Sequence, residues 1–278
     1  MNITGRTRMV GLFGYPVEHS LSPAMHNAAF EFLKLDYCYV PFSVRPDVLK
    51  NAVNSINALN LRGVNVTIPH KEKVLPFLHE LSEEASFIGA VNTILNDNGK
   101  LKGFNTDGRG FMQSLQDAAI DSSGKKILII GAGGAARAIG YYLCQTAELL
   151  FLYNRTVDKA ESLRQHLNVI RGNVVSVDNA LMGARDFFLN IDIVINTTPL
   201  GLRPDDPPPL DISLLNNTIS VCDLIYRETP FLHQAARIGC KTLNGLGMLL
   251  WQGIYAFEIW TGILPPSEIM RRALLSAI

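Results

Sequence analysis

Hydrophobic residues along this 278-residue chain fall into two textures: short apolar runs of strand length, and stretches whose apolar positions recur with helical spacing. Residues 9–14 read as a strand and residues 23–33 as a helix, with Ser22 at the N-cap and Pro23 in the first turn. Residues 63–69 alternate, which puts Val64, Val66 and Ile68 on one face and Asn65 with Thr67 on the other. Residues 89–95 and 100–107, joined by Asp97-Asn98-Gly99, read as a hairpin that brings Asn92 near Asn105 and Asp107. Residues 127–130 form an apolar run that enters glycines and then Ala135, Ala136, Ala138, Ile139 and Leu143, so strand, tight turn and helix follow one another. A second strand ends at Tyr153. The last helices are strongly apolar, with Leu246, Leu249, Leu250, Trp251, Ile254, Tyr255, Phe257 and Ile259, and Ser267 is placed to cap the final one.

The strand-turn-helix at Gly131-Ala132-Gly133-Gly134-Ala135 is the context a dinucleotide fingerprint requires. Gly131 permits the turn, Gly133 lets backbone N–H groups approach a pyrophosphate, and the small Ala136 lets helix and strand pack closely. The helix N-terminus then faces the phosphates. No Gly-Lys-Ser/Thr follows, so the ligands of a P-loop are missing. NAD enzymes usually end the second strand in a carboxylate that bonds the ribose hydroxyls, whereas here Asn154, Arg155 and Thr156 follow it. A carboxylate repels a 2′-phosphate, while Arg155 can hold one through charge-assisted bonds with neutral donors beside it. The motif therefore points to NADP; Arg155 out of that context would read as a solvated loop arginine.

Composition narrows the setting. Twenty-five basic and 25 acidic residues cancel, which leaves no general field for nucleic acid or an anionic membrane. The expected partners are small molecules. Cys38, Cys144, Cys222 and Cys240 lack metal-ligand spacing and sit in apolar stretches, so they read as core thiols and no metal is expected. The first eight residues carry no apolar targeting segment, and the apolar stretch over residues 127–153 is broken by glycines, Arg137 and Glu148. A cytoplasmic enzyme is expected. Residues 203–209, rich in proline, read as a stiff surface loop without a catalytic role.

The first hundred or so residues carry no dinucleotide fingerprint, and candidate chemistry lies there. Ser22 precedes a proline and is pushed toward extended geometry, so Ser20 and Ser22 can project hydroxyls to one side of the helix N-terminus, which suits a carboxylate. Read alone, Ser22 equally serves as a cap and Ser20 as a solvated residue. Asn65, Thr67 and Lys71 converge if the strand end opens into a crevice; otherwise Lys71 is a surface lysine. His70 reads as structural. Asp107 stands where the N-cap of the next helix is expected, which competes with a site role.

Taken in order, Ser20-Leu-Ser-Pro23, Asn65-Val-Thr-Ile-Pro-His-Lys71, Gly89-Ala-Val-Asn-Thr93, Asn105-Thr-Asp-Gly-Arg-Gly-Phe111, Gly131-Ala-Gly-Gly-Ala-Ala-Arg137 and Asn154-Arg-Thr156 closely resemble the shikimate dehydrogenase family. The segments at 196–201, 223–226, 229–232 and 244–252 extend the similarity over nearly the whole chain. The resemblance implies reversible NADP-dependent reduction of 3-dehydroshikimate to shikimate, a step toward aromatic amino acids. It implies that Lys71 and Asp107 form the catalytic pair and that Ser20, Ser22 and Tyr226 bind the substrate carboxylate. Asn65, Thr67, Asn92, Asp107 and Gln252 would bind ring hydroxyls. On the cofactor side it implies Gly131, Ala132, Gly133, Gly134 and Ala135 at the pyrophosphate, and Asn154, Arg155 and Thr156 at the 2′-phosphate. Thr197, Leu224, Gly245 and Met248 complete that side. Gln252 without the resemblance reads as a solvent residue.

The expected fold is α/β: a substrate domain of residues 1–110 completed by 248–278, and a doubly wound NADP-binding domain of residues 111–247. Substrate is expected between them. Quinate as substrate, relaxed cofactor use, and a dinucleotide-sensing protein that lost catalysis stay open as alternatives, with Lys71 and Asp107 both retained against the last. Glutamyl-tRNA reductase resembles only the middle of the chain, and the net neutral charge offers no tRNA surface. A homodimer is also left open.

Overall fold

The structure, a computed structural model, describes residues 3–203 and 205–278. Met1 and Asn2 of the N-terminal stretch and Pro204 of the proline-rich loop lie outside the described residues. The chain divides into two units, one taking the chain up to Gly110 together with Leu250–Ile278, the other Phe111–Leu249.

The first unit is built on β1 (Arg8–Gly14), α1 (Ser22–Phe32), β2 (Tyr37–Ser43), α2 (Leu49–Ala58), β3 (Gly63–Val66), β4 (Glu80–Leu81), α3 (Glu83–Ile88), β5 (Thr93–Asp97) and β6 (Lys100–Phe104). Its six-stranded sheet runs β2-β1-β3-β5-β6-β4. Strand β1 lies parallel to β2 and β3, and β3 meets the antiparallel β5–β6 hairpin. That hairpin turns at Asn98 and Gly99, both at positive φ, as its tight two-residue loop demands. Val53, Ile56, Val64, Val66, Ile94 and Leu101 fill the core on one side.

The apolar C-terminal segment supplies the other side. Trp260 is fully buried; its Nε1 donates to the Ile94 carbonyl at 3.0 Å, and its own carbonyl accepts from Arg62 Nε at 2.9 Å. Phe257 stacks on His26 and Phe30 of α1.

The second unit carries β7 (Lys126–Ile130), β8 (Leu149–Tyr153), β9 (Val174–Ser176), β10 (Ile193–Asn196), β11 (Ser220–Asp223) and β12 (Lys241–Leu243). All pairings are parallel and the order is β12-β11-β10-β7-β8-β9, the doubly wound arrangement in which the winding reverses between β7 and β10. Around it lie α5 (Gly134–Thr146), α6 (Val157–Asn168), the short α7 (Asn179–Met182) and α8 (Arg185–Phe188), and α9 (Pro230–Ile238). The helices α4 (Asp107–Asp117) and α10 (Leu246–Thr261) straddle the division between units, and α11 (Ser267–Leu275) packs on α1. All four cysteines are buried free thiols.

Three helix starts differ from the sequence expectation. Ser22 is the first residue of α1, not its cap: Leu21 holds that place without a side-chain bond, and Ser22 is helical rather than extended. The proline preference is overridden because Ser20 Oγ accepts the Ser22 N–H at 3.3 Å, leaving the hydroxyl of Ser22 uncommitted to the helix. Asp107 likewise opens α4 instead of capping it; its N–H donates to Asn105 Oδ1 at 3.1 Å, and the Thr106 carbonyl accepts from Gly110 N at 2.9 Å. At α11 the cap position falls on Pro266, so Ser267 is inside the helix.

The alternation at residues 63–69 also stops early. Strand β3 ends at Val66, and after Thr67 N donates to Phe13 O the chain turns, with His70 N bonding Thr67 O. Ile68 therefore leaves the face shared by Val64 and Val66 and is 74% exposed, while Asn65, expected on a polar face, is buried.

Candidate active site

In the first unit, the carboxyl ends of β1 and β3 and the start of α4 bring together residues far apart in sequence. Gly14 closes β1 because a Cβ there would collide with Thr67 Cγ2, so the 67–71 segment can lie directly against the strand end. That segment is pinned by His70, whose Nε2 meets the Val44 carbonyl at 2.7 Å, and by Lys71 O, which accepts from Val91 N at 2.8 Å. Lys71 is thus not a free surface lysine. Its Nζ lies 2.5 Å from Asp107 Oδ2, with the lysine side chain 28% and the aspartate 8% exposed.

The other carboxylate oxygen is fixed as well, Asn92 Nδ2 donating to Asp107 Oδ1 at 2.8 Å and to Thr106 Oγ1 at 2.9 Å. Asn92 Oδ1 accepts from Thr106 N at 2.9 Å and from Thr93 Oγ1 at 3.0 Å, which settles the orientation of its amide. Thr106 Oγ1 donates to the Gln252 carbonyl at 3.0 Å, tying α10 to the start of α4. Gln252 itself is half-buried rather than the solvent residue its composition alone suggests.

Asn65 belongs to the same network. Its Nδ2 donates to the Asn92 carbonyl and to Thr93 Oγ1, both at 3.1 Å, and its Oδ1 accepts from the Tyr39 hydroxyl at 2.9 Å. Ser22 is buried at the start of α1. Burial pushes the Tyr39 phenol well above its ordinary range, so it stays protonated. In the sequence Tyr39 reads as one more aromatic of a strand; only the fold brings its hydroxyl to Asn65. Ser20 and Thr67 are half-exposed at the same end of the sheet.

In the second unit, β7 and β10 part at the point where the winding reverses. Gly131 has φ +114°, and a Cβ there would also collide with Thr197 Oγ1. Thr197 uses both its N–H and its hydroxyl on the Ile130 carbonyl, at 2.9 and 2.8 Å, which locks the turn. Helix α5 begins at Gly134, with Gly133 as its N-cap and Ala136 buried beneath. Among the described residues, nothing beyond its own neighbouring backbone lies within 4 Å of a Cβ built on Gly133, so the space above the helix start is open, and its backbone N–H groups can meet a phosphate. After β8, Arg155 and Thr156 are exposed and Asn154 Nδ2 donates to Thr156 O at 2.8 Å. No carboxylate occupies this strand end. The set fits a dinucleotide bearing a 2′-phosphate.

Leu224 and Tyr226 follow β11 on a loop held by Asp223, whose carboxylate accepts from Asn196 Nδ2 at 3.1 Å, Ile225 N at 3.1 Å and Thr229 Oγ1 at 2.9 Å. Desolvation pushes the Asp223 carboxyl upward, and those three donors oppose the shift. Gly245 lies under this loop, where a Cβ would strike the Leu224 carbonyl; Met248 is half-buried and Tyr226 exposed.

Family models match along the chain: the shikimate dehydrogenase substrate binding domain over residues 12–94, shikimate / quinate 5-dehydrogenase over 113–199, and the shikimate 5'-dehydrogenase C-terminal domain over 245–275. A shikimate dehydrogenase (NADP(+)) of Desulforamulus reducens is 48% identical, covering 98% of this chain and 96% of the relative. The chain belongs to the shikimate dehydrogenase family. Its fold matches that of a shikimate 5-dehydrogenase from Thermus thermophilus solved with NADP(H) and shikimate, at 37% identity and a TM-score of 0.88, over 98% of this chain and all of the other. A quinate dehydrogenase from Corynebacterium glutamicum in complex with NAD is similar at 32% identity, with a TM-score of 0.90 over 97% of this chain and 99% of the other. Lys71 lies within the residues matched by the substrate binding domain, and its partner Asp107 lies between that match and the next.

Among the described residues no group of three or more His, Cys, Asp and Glu could hold a metal ion, and no helix is long and apolar enough to cross a membrane.

Proposed function

We propose that this protein catalyses the reversible, NADP-dependent reduction of 3-dehydroshikimate to shikimate, with the first unit as the substrate domain and the second as the NADP domain. The observation that carries the reading is the Lys71–Asp107 pair, fixed by Asn92 inside a chain of this family. NADPH supplies the hydride. As the substrate carbonyl oxygen gains negative charge, the Lys71 ammonium stabilises it and donates a proton; in the oxidative direction Lys71 accepts the proton from the hydroxyl. Asp107 holds the ammonium in place and, through its carboxylate, accepts from a ring hydroxyl. Asn65, Thr67, Asn92 and Gln252 serve the remaining hydroxyls, while Ser20 and Ser22, with Tyr226, take the carboxylate.

On the cofactor side, the amides over residues 131–135 serve the pyrophosphate, Asn154, Arg155 and Thr156 the 2′-phosphate, and Thr197, Leu224, Gly245 and Met248 the nicotinamide end. The positively charged Arg155 and the missing carboxylate support NADP over NAD. Four free buried thiols support a reducing, cytoplasmic setting.

The test is growth of the NADPH absorbance band with purified protein, shikimate and NADP, repeated with NAD and with quinate. Shikimate-dependent NADPH formation is expected. Turnover of quinate with NAD but not of shikimate with NADP would replace this reading by the sister activity.

A further inference from the structure

Asn196 and Asp223 end the parallel strands β10 and β11 as register partners, and both are buried to 1% exposure or less. The loops that follow carry residues the proposed function gives to two ligands: Thr197 and Leu224 to the nicotinamide end, Tyr226 to the substrate carboxylate. We propose that Asp223 is a positioning residue that, with Asn196, sets these two loops as one piece, so that the nicotinamide contacts and the Tyr226 hydroxyl are aligned together. The inference rests on the shikimate dehydrogenase reading above.

All the side-chain capacity of Asn196 is spent on this arrangement. Its Oδ1 accepts from Thr198 N at 3.0 Å and from Thr198 Oγ1 at 2.6 Å, while its Nδ2 donates to the Leu200 carbonyl at 3.2 Å and to Asp223 Oδ1 at 3.1 Å. The loop after β10 is thereby folded back onto its own strand end. Asp223 does the same for the loop after β11, its Oδ1 accepting also from Ile225 N at 3.1 Å and its Oδ2 from Thr229 Oγ1 at 2.9 Å. Leu224 N donates to the Asn196 carbonyl at 3.0 Å, which joins the two loops a second time. Gly245 N donates to the Ile225 carbonyl at 2.9 Å, so the arrangement reaches a third residue of the nicotinamide end. On the far side Gly201, at φ +104°, lies against Thr229, and a Cβ there would stand 3.3 Å from Thr229 Cγ2.

The donor accounting explains why position 223 carries a carboxylate. Three neutral donors converge on it, and only an acceptor-only group with two oxygens takes all three. Thr229 is fully buried; its Oγ1 accepts from Leu232 N at 3.3 Å to cap α9, and its proton goes to Asp223. An amide at 223 keeps one oxygen for Asn196 and Ile225 but turns N–H protons toward Thr229, whose own proton loses its acceptor. The segment over residues 224–229 is then tied at one end only.

The test uses the full chain with Asp223→Asn, Tyr226→Phe and the double variant, reading kcat and the KM values for shikimate and NADP. Asp223→Asn is expected to raise both KM values about tenfold, the weight of one hydrogen bond, with kcat within about threefold of wild type. Calorimetric titration with NADP alone should show an affinity weakened by the same factor as the NADP KM. Tyr226→Phe is expected to raise the shikimate KM in the wild-type background but by less than about twofold beside Asp223→Asn, because a displaced loop gains nothing from that hydroxyl. Additive losses, or a lowered Tm with both KM values and the NADP affinity unchanged, would overturn the positioning role while leaving the activity in place. If Asp223→Asn does not fold, Thr229→Ala should raise both KM values about fivefold, and Thr229→Ser, which keeps the hydroxyl, should stay within about twofold of wild type. Equal values for those two variants would overturn the role. A wild-type protein that turns over no shikimate with NADP would overturn the activity itself.

Discussion

At the scale of single residues, Lys71 shows how context changes the meaning of a side chain. A lysine after a strand is normally a solvated surface group; here the neighbouring backbone is pinned and the amine meets Asp107 at 2.5 Å. Lys71→Met should lower kcat by on the order of 10²–10⁴ while leaving NADP binding intact, as checked by steady-state rates beside a cofactor titration. Normal turnover would remove Lys71 from the chemistry. His26 makes a different prediction. Its ring is fully buried, neither nitrogen has a hydrogen-bond partner among the described residues, and desolvation lowers its pKa from 6.5 to about 3. Between those values the unfolded chain binds a proton that the folded chain does not, so stability must fall as pH falls from 6.5 toward 3, by up to about 1.4 kcal/mol per unit. His26→Phe should flatten that slope in denaturant unfolding measured across this range; an unchanged slope would assign the acid sensitivity to other groups.

At the scale of elements, the turn from β7 into α5 depends on Gly131. A side chain there has to adopt positive φ and also displace Thr197, whose two bonds to Ile130 lock the turn. Gly131→Ala should cost at least about 1–2 kcal/mol from the backbone alone and weaken NADP binding, seen as a lower Tm and a raised NADP KM. Retention of both would mean that the turn relaxes freely. The fingerprint itself was legible, because glycines between a strand and a helix have a local cause. Helix starts were less so: Ser22 and Asp107 look like caps, but Ser20 and Asn105, two residues earlier, capture their N–H groups and release both side chains for the site. That substitution of one local bond for another is visible only in the folded structure. The end of β3 at Val66, which exposes Ile68, is set by pairing with β1 and not by the alternation of residue types.

At the scale of the whole molecule, the last helix turns complete the first unit's core. Trp260 is the clearest case, fully buried with its ring nitrogen on Ile94 and its carbonyl on Arg62. Trp260→Ala should cost about 3–5 kcal/mol of unfolding free energy in urea titration; a loss under about 1 kcal/mol would show that this segment is a surface appendage. By itself the sequence determined the α/β class, the doubly wound unit, the preference for a 2′-phosphate and the family, since each depends on short-range periodicity, glycine placement or the identity of a few ordered motifs. The tertiary structure alone decided which polar groups share protons: that Asn92 serves both Asp107 and Thr106, that Asn65 has only an acceptor to offer, and that Tyr39 reaches it. Those pairings join β2, β3, β5 and α4, and hydrogen bonds across such sequence distances follow from the packing of strands and helices, which no local pattern encodes.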